Sequence, residues 1–237
     1  MAWHRQLYAA TATAVLVVVV AACSDRLSTQ DGSATGKPLA DVSSSSSSDD
    51  GSGSTAGVPL GAKVLGTVRL GEAFVFTLQT AETSGEPQRW KLVVRNVDCG
   101  KPLDPAVMAY AADSVGAPTA TPVPDTGKQF CVLTMDGTNV GKSMANWDAS
   151  NTVSLNVGDV RYTESQQDAD YALDYAQYWN QQGQTAPAFG LNPGSQGPVH
   201  GVFEIPAGDK PTNVWVTAGT AIETIYGVQP GYLVLLQ

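Results

Sequence analysis

Phe130-Cys131-Val132-Leu133-Thr134-Met135 is the stretch that decides the fold. Cys131, Leu133 and Met135 fall on one side of an extended chain, and Phe130 and Val132 on the other. A period of two is the signature of a strand, because successive side chains in an extended chain point to opposite faces. The same alternation recurs outward from here. Phe74, Phe76 and Leu78 carry it, then Trp90, Leu92 and Val94, both upstream. Downstream it appears at Val153, Leu155 and Val157, at Val199, Phe203 and Ile205, at Val214 and Val216, and at Leu233 and Leu235. Gly, Pro, Asn and Asp separate the segments. Seven or more short strands with turn residues between them predict an all-β sandwich or barrel. No long amphipathic helix is read between them, which argues against a parallel α/β fold.

One segment departs from the alternation. Asp168 to Gln182 places Tyr171, Tyr175, Tyr178 and Trp179 at i, i+4, i+7 and i+8, the spacing of one helical face. This aromatic-acidic insert reads as packing on the edge of the core, or as a contact patch for a partner. Tyr and Trp are enriched at binding hot spots, so these four residues are the candidate partner contacts. Asp168, Asp170 and Asp174 read as a solvated acidic face, since no twelve-residue calcium loop surrounds them. No metal site and no cofactor is expected.

The first sixty residues are of a different kind. Arg5 and then a charge-free run from Leu7 to Ala22 form a signal peptide over residues 1–22. The run is shorter than the roughly 20 residues a membrane span needs. It ends in Val20-Ala21-Ala22-Cys23, which resembles the lipobox of bacterial lipoproteins. That resemblance implies a diacylglyceryl group on Cys23, cleavage before it, and a stable membrane anchor. Residues 23–60 include the unbroken run Ser43 to Ser48 followed by Asp49-Asp50-Gly51-Ser52. With almost nothing large and apolar to bury, they read as a disordered tether with a typical reach of roughly 30–37 Å. The folded domain is placed at 61–237.

Composition narrows the partners. Asp and Glu outnumber Lys and Arg by 22 to 13 for a net charge of −9, which disfavours nucleic acid. There are three Cys in all; with Cys23 acylated, Cys99 and Cys131 remain, and an oxidising compartment makes their disulfide the expectation. His200 stands opposite Val199 and Phe203 in its strand and reads as an exposed histidine.

Gly127-Lys128-Gln129-Phe130-Cys131-Val132-Leu133-Thr134-Met135 followed by Thr138-Asn139-Val140-Gly141-Lys142 resembles a signature of a bacterial lipoprotein family. This is the immunoprotective extracellular, immunoglobulin-like family, which includes a large domain-of-unknown-function group. Leu191-Asn192-Pro193-Gly194 with Val199 to Pro206, ending in Phe203-Glu204-Ile205-Pro206, resembles its second signature. The resemblance covers roughly 61–217 and implies a small immunoglobulin-like β-sandwich, secreted or lipid-anchored, with no catalytic residues to carry over. The chain departs from it in the long insert after Tyr162 and in an added apolar stretch, Ala218 to Gln237.

The expectation is therefore a non-enzymatic, lipid-anchored binding or adhesion module on the extracytoplasmic side of the cell membrane. Its partner would be an envelope or extracellular protein, or a wall polymer. The alternative is an accessory subunit of a membrane-associated envelope complex for transport, secretion or wall synthesis, with the tether raising local concentration.

Overall fold

The structure, a computed structural model, describes residues 56–78 and 86–237. The signal peptide, Cys23 and the tether up to residue 55 lie outside the described residues.

In chain order the strands are β1 (Val64–Arg69), β2 (Ala73–Thr77), β3 (Arg89–Cys99), β4 (Lys128–Asn139), β5 (Val153–Val157) and β6 (Val160–Tyr162). They continue as β7 (Gln196–Pro206), β8 (Asn213–Thr217), β9 (Glu223–Thr224), β10 (Gly227–Val228) and β11 (Gly231–Leu235). Two helices interrupt them, α1 (Pro105–Ser114) and α2 (Gln166–Gln181), with a 3₁₀ turn at Pro187–Phe189.

The long strands form two sheets, β2-β3-β4-β7 and β1-β11-β8-β5-β6, with β9 and β10 a separate hairpin. Alternation decides which side chains meet between the sheets. Trp90, Leu133, Met135 and Phe203 from the first pack against Val153, Leu155, Val214 and Val216 from the second. Burying such side chains contributes about 1.5–3 kcal/mol each, so this layer is the main source of stability.

The path is immunoglobulin-like. The order β11-β8-β5-β6 matches the G-F-C-C′ sheet of variable domains, and β4 beside β7 matches strands B and E. Two features differ. The disulfide joins Cys99 on β3 to Cys131, directly opposite on β4, so it staples one sheet instead of bridging the two. And the chain between β6 and β7 runs as α2 where an immunoglobulin domain places strand D, so β7 has no strand on its outer edge among the described residues.

Two helices accompany the strands: α2 is the segment whose aromatics read at helical spacing, and α1 is not read from the sequence. Asp104 caps α1 by accepting from the Ala106 N–H, and Pro105 sits in its first turn, where the absent N–H costs nothing. Only Val107 and Met108 of α1 are buried, so its sequence carries almost no helical periodicity. Ser165 and Asp168 close a capping box at the start of α2. Together the helices build a second core on the outer face of the β4–β7 pair, around Leu103, Val107, Phe130, Tyr175 and Val202.

The folded body also begins before residue 61. Asn213 Nδ2 donates to the Ala56 carbonyl at 3.2 Å, and Asn156 Nδ2 donates to the Gly57 carbonyl at 3.1 Å. Gly57 has φ +83°, and a Cβ there would strike the Asn213 side chain, so glycine is required both by backbone and by space.

Candidate functional site

The open edge of β7 organises the site. The register with β4 turns the odd-numbered residues' hydrogen-bonding groups toward β4 and the even-numbered ones outward. Two of the outward positions are Pro198 and Pro206, which have no N–H to leave unpaired, a common way to blunt an edge. Val202 does have one, and Glu164 Oε1 accepts it at 2.8 Å. The residue just ahead of the α2 cap thus supplies the acceptor that a neighbouring strand would have offered.

His200 lies two residues from Val202 on the same outer face. It is 9% exposed, which overturns the expectation of a solvent-facing histidine. The alternation assigns its face correctly, but α2 covers that face. Tyr175 stacks on the imidazole at 4.8 Å between centroids, and Trp179 lies parallel to it at 6.4 Å. Trp147 comes from the β4–β5 connection, which is held in place by the Ala145 and Leu191 backbone pair and by the Trp147 N–H donating to the Pro187 carbonyl.

Between these parts lies a cleft of about 240 Å³. Trp147 and Asp148 form one wall, Ala169, Leu173 and Ala176 of α2 another, and Val199 and His200 the floor, with Glu164 at the side. Glu164 Oε2, His200 Nδ1 and Trp147 Nε1 are each sealed from solvent with no hydrogen-bond partner in the protein. Most buried polar atoms are paired; the indole Nε1 of Trp90, Trp179 and Trp215 is unpaired too, so Glu164 Oε2 and His200 Nδ1 are what set this lining apart.

Burial governs the charges. It pushes the Glu164 carboxyl up to about 7, with the Asp168 and Asp148 carboxylates adding to the effect and the Val202 bond opposing it. Burial also raises Asp148. It lowers His200 to about 4, so the imidazole is neutral at neutral pH. The cleft therefore offers a carboxyl able to give or take a proton near neutrality, a neutral ring nitrogen and an indole donor.

The four aromatic residues of the insert are where the helical spacing placed them, but they face the protein. Tyr175 is 6% exposed and its hydroxyl accepts the Asp104 N–H at 2.9 Å, tying α2 to α1. This removes Tyr175 as a surface contact. Tyr171 is half-buried against Phe130, Tyr178 against Tyr110, and Trp179 against Tyr178 and His200. Asp168, read as part of a solvated acidic face, is buried in the capping box because its carboxylate accepts the Ser165 N–H. No group of three or more His, Cys, Asp or Glu able to hold a metal ion occurs among the described residues.

Glu164, Trp147 and His200 come from three distant segments, and nothing local in the sequence joins them. The one available signal was a histidine in an apolar strand whose outer face a helix of aromatics could cover.

No family model matches the chain, and no curated protein matches it either. Similar solved structures include MPT63, a secreted protein from Mycobacterium tuberculosis, at 14% identity over 70% of this chain and 95% of that one, TM-score 0.39. An uncharacterized β-sandwich protein from Clostridium difficile 630 has 14% identity over 74% of this chain and 96% of its own, TM-score 0.39. The yjhA protein from Bacillus subtilis has 16% identity over 72% and 99%, TM-score 0.35.

Proposed function

We propose that the protein is an extracytoplasmic binding module, lipid-anchored through Cys23, that seats part of its ligand in the cleft between α2, β7 and the β4–β5 connection. The observation that carries this reading is the cleft itself: apolar walls with Glu164 Oε2, His200 Nδ1 and Trp147 Nε1 left without partners. A concave apolar site with a few convergent polar groups is the usual form of a binding site. Its volume lies below the roughly 300–1,000 Å³ of sites that engulf a whole small molecule, and suits one side chain or terminal group of a larger partner. The Cys99–Cys131 disulfide fits an oxidising compartment outside the cytosol.

The test is site-specific photo-crosslinking in cells. A photoreactive residue at Leu173, which is exposed on the wall of the cleft, is compared with one at Val115, exposed just past α1. Discrete adducts at position 173 alone support the reading, whether they are wall polymer, an external protein or a membrane-complex neighbour. Equal labelling at both positions, or none, contradicts it. Intact mass of the membrane fraction checks the acyl group on Cys23.

A further inference from the structure

The charges of the cleft lining are one-sided. Asp148, Glu164 and Asp170 contribute three carboxyls, and no Lys or Arg lines it among the described residues. Carboxyls alone would say little, but His200 is nine-tenths buried in the floor with Nδ1 unpaired. A neutral imidazole that carries its proton on Nε2 accepts a hydrogen bond at Nδ1. Glu164 Oε2 is a second unpaired oxygen. Trp147 also lines the cleft, and its indole N–H is a donor that water beside the ligand can accept. Ala169, Ala172, Leu173 and Ala176 supply an apolar slope suited to a hydrocarbon stem.

Resting on the reading of the cleft as a ligand seat, we propose that it takes a primary ammonium group on a short alkyl stem, as carried by a lysine-type side chain or a free alkylamine. The ammonium places its donors on Glu164 Oε2, His200 Nδ1 and water once the two sealed atoms are uncovered, and the stem lies along α2. An anion would meet three carboxyls and no counter-charge. A neutral amide would gain the hydrogen bonds but not the charge attraction.

Binding of this kind is coupled to a proton. The groups facing Glu164 are His200 on β7, Asp168 and Asp170 on α2, and Asp148 on the β4–β5 connection. Burial holds the Glu164 carboxyl near 7, so an arriving ammonium ionises it. Affinity should then rise about tenfold from pH ~6 to pH ~8.

The experiment titrates the mature protein with n-butylammonium, butyramide and butyrate, following the indole N–H resonance of Trp147, assigned with Trp147→Phe. The expected result is a saturable shift with butylammonium, weaker by about tenfold at the lower pH, and at least tenfold less binding of the other two. Glu164→Gln keeps an oxygen for the Val202 N–H and should abolish both the preference and the pH dependence; its thermal melt confirms folding. Nα-acetyl-lysine methylamide separates the sources: tighter binding than butylammonium identifies a side chain on a peptide, and equal binding identifies a free amine. Butyramide or butyrate binding as well as butylammonium, or a pH-independent affinity, overturns the ammonium assignment and leaves the cleft a ligand seat. No shift with any probe overturns both.

Discussion

Glu164→Gln has a stability signature that can be worked from the structure. The carboxyl is raised from 4.5 to about 7 by burial. The folded state therefore holds this proton more tightly than the unfolded chain. That contribution is fully present below pH ~4.5 and is lost as pH rises through ~7. At 1.36 kcal/mol per pH unit, full ionisation costs at most about 3 kcal/mol. His200 has the opposite sign: lowered from 6.5 to about 4, its contribution is present above pH ~6.5 and lost as pH falls through ~4. Across pH ~4.5 to ~6.5 the two slopes oppose, and these two groups together leave the wild-type protein nearly flat. Glu164→Gln removes one slope and keeps the Val202 hydrogen bond. Urea melts followed by Trp fluorescence from pH ~4.5 to ~8 should show the variant gaining on the wild type by about 2–3 kcal/mol up to pH ~7.5, then running parallel to it. A difference that stays constant over that range would mean the carboxyl ionises as a solvated one, and the burial argument would be wrong.

Replacing Cys99 and Cys131 together with Ala opens a loop of 32 residues and should cost about 3–4 kcal/mol in a denaturant melt. Gly197→Ala would drive its Cβ into the Thr185 backbone on the α2–β7 connection, so a loss near the top of the ~1–3 kcal/mol overpacking range is expected, with increased protease cleavage around 183–190. Tyr175→Phe leaves the Asp104 N–H without its acceptor; about 1 kcal/mol should go, measured by thermal melt, with amide exchange accelerated at the start of α1.

How far the sequence could be read depended on how local each signal was. Cys131, Leu133 and Met135 alternate because one face of β4 packs between the sheets, and that fact is written in neighbouring residues. The same holds for Tyr171, Tyr175, Tyr178 and Trp179: their spacing located one face of α2, since that face packs against the second core and the β7 strand. What the spacing did not contain was the direction of the face, inward instead of toward a partner. α1 was illegible because Val107 and Met108 are its only buried residues. His200 shows the limit most plainly. Alternation put it on the outer face of β7, but whether an outer face is wet depends on the helix that crosses it, α2, whose Tyr175 and Trp179 lie well upstream in the chain. Gly57 belongs to the fold through Asn156 and Asn213, far downstream, and so looked like tether. The cleft is assembled from positions 147, 164 and 200, each ordinary in its own neighbourhood.

The most direct test of the account is a high-resolution crystal structure of the mature protein, inspected at the cleft. The account predicts an open cleft holding ordered water or a bound molecule, hydrogen-bonded to Glu164 Oε2 and His200 Nδ1. A cleft closed by Leu173 and Trp147, with both of those atoms paired inside the protein, would contradict it.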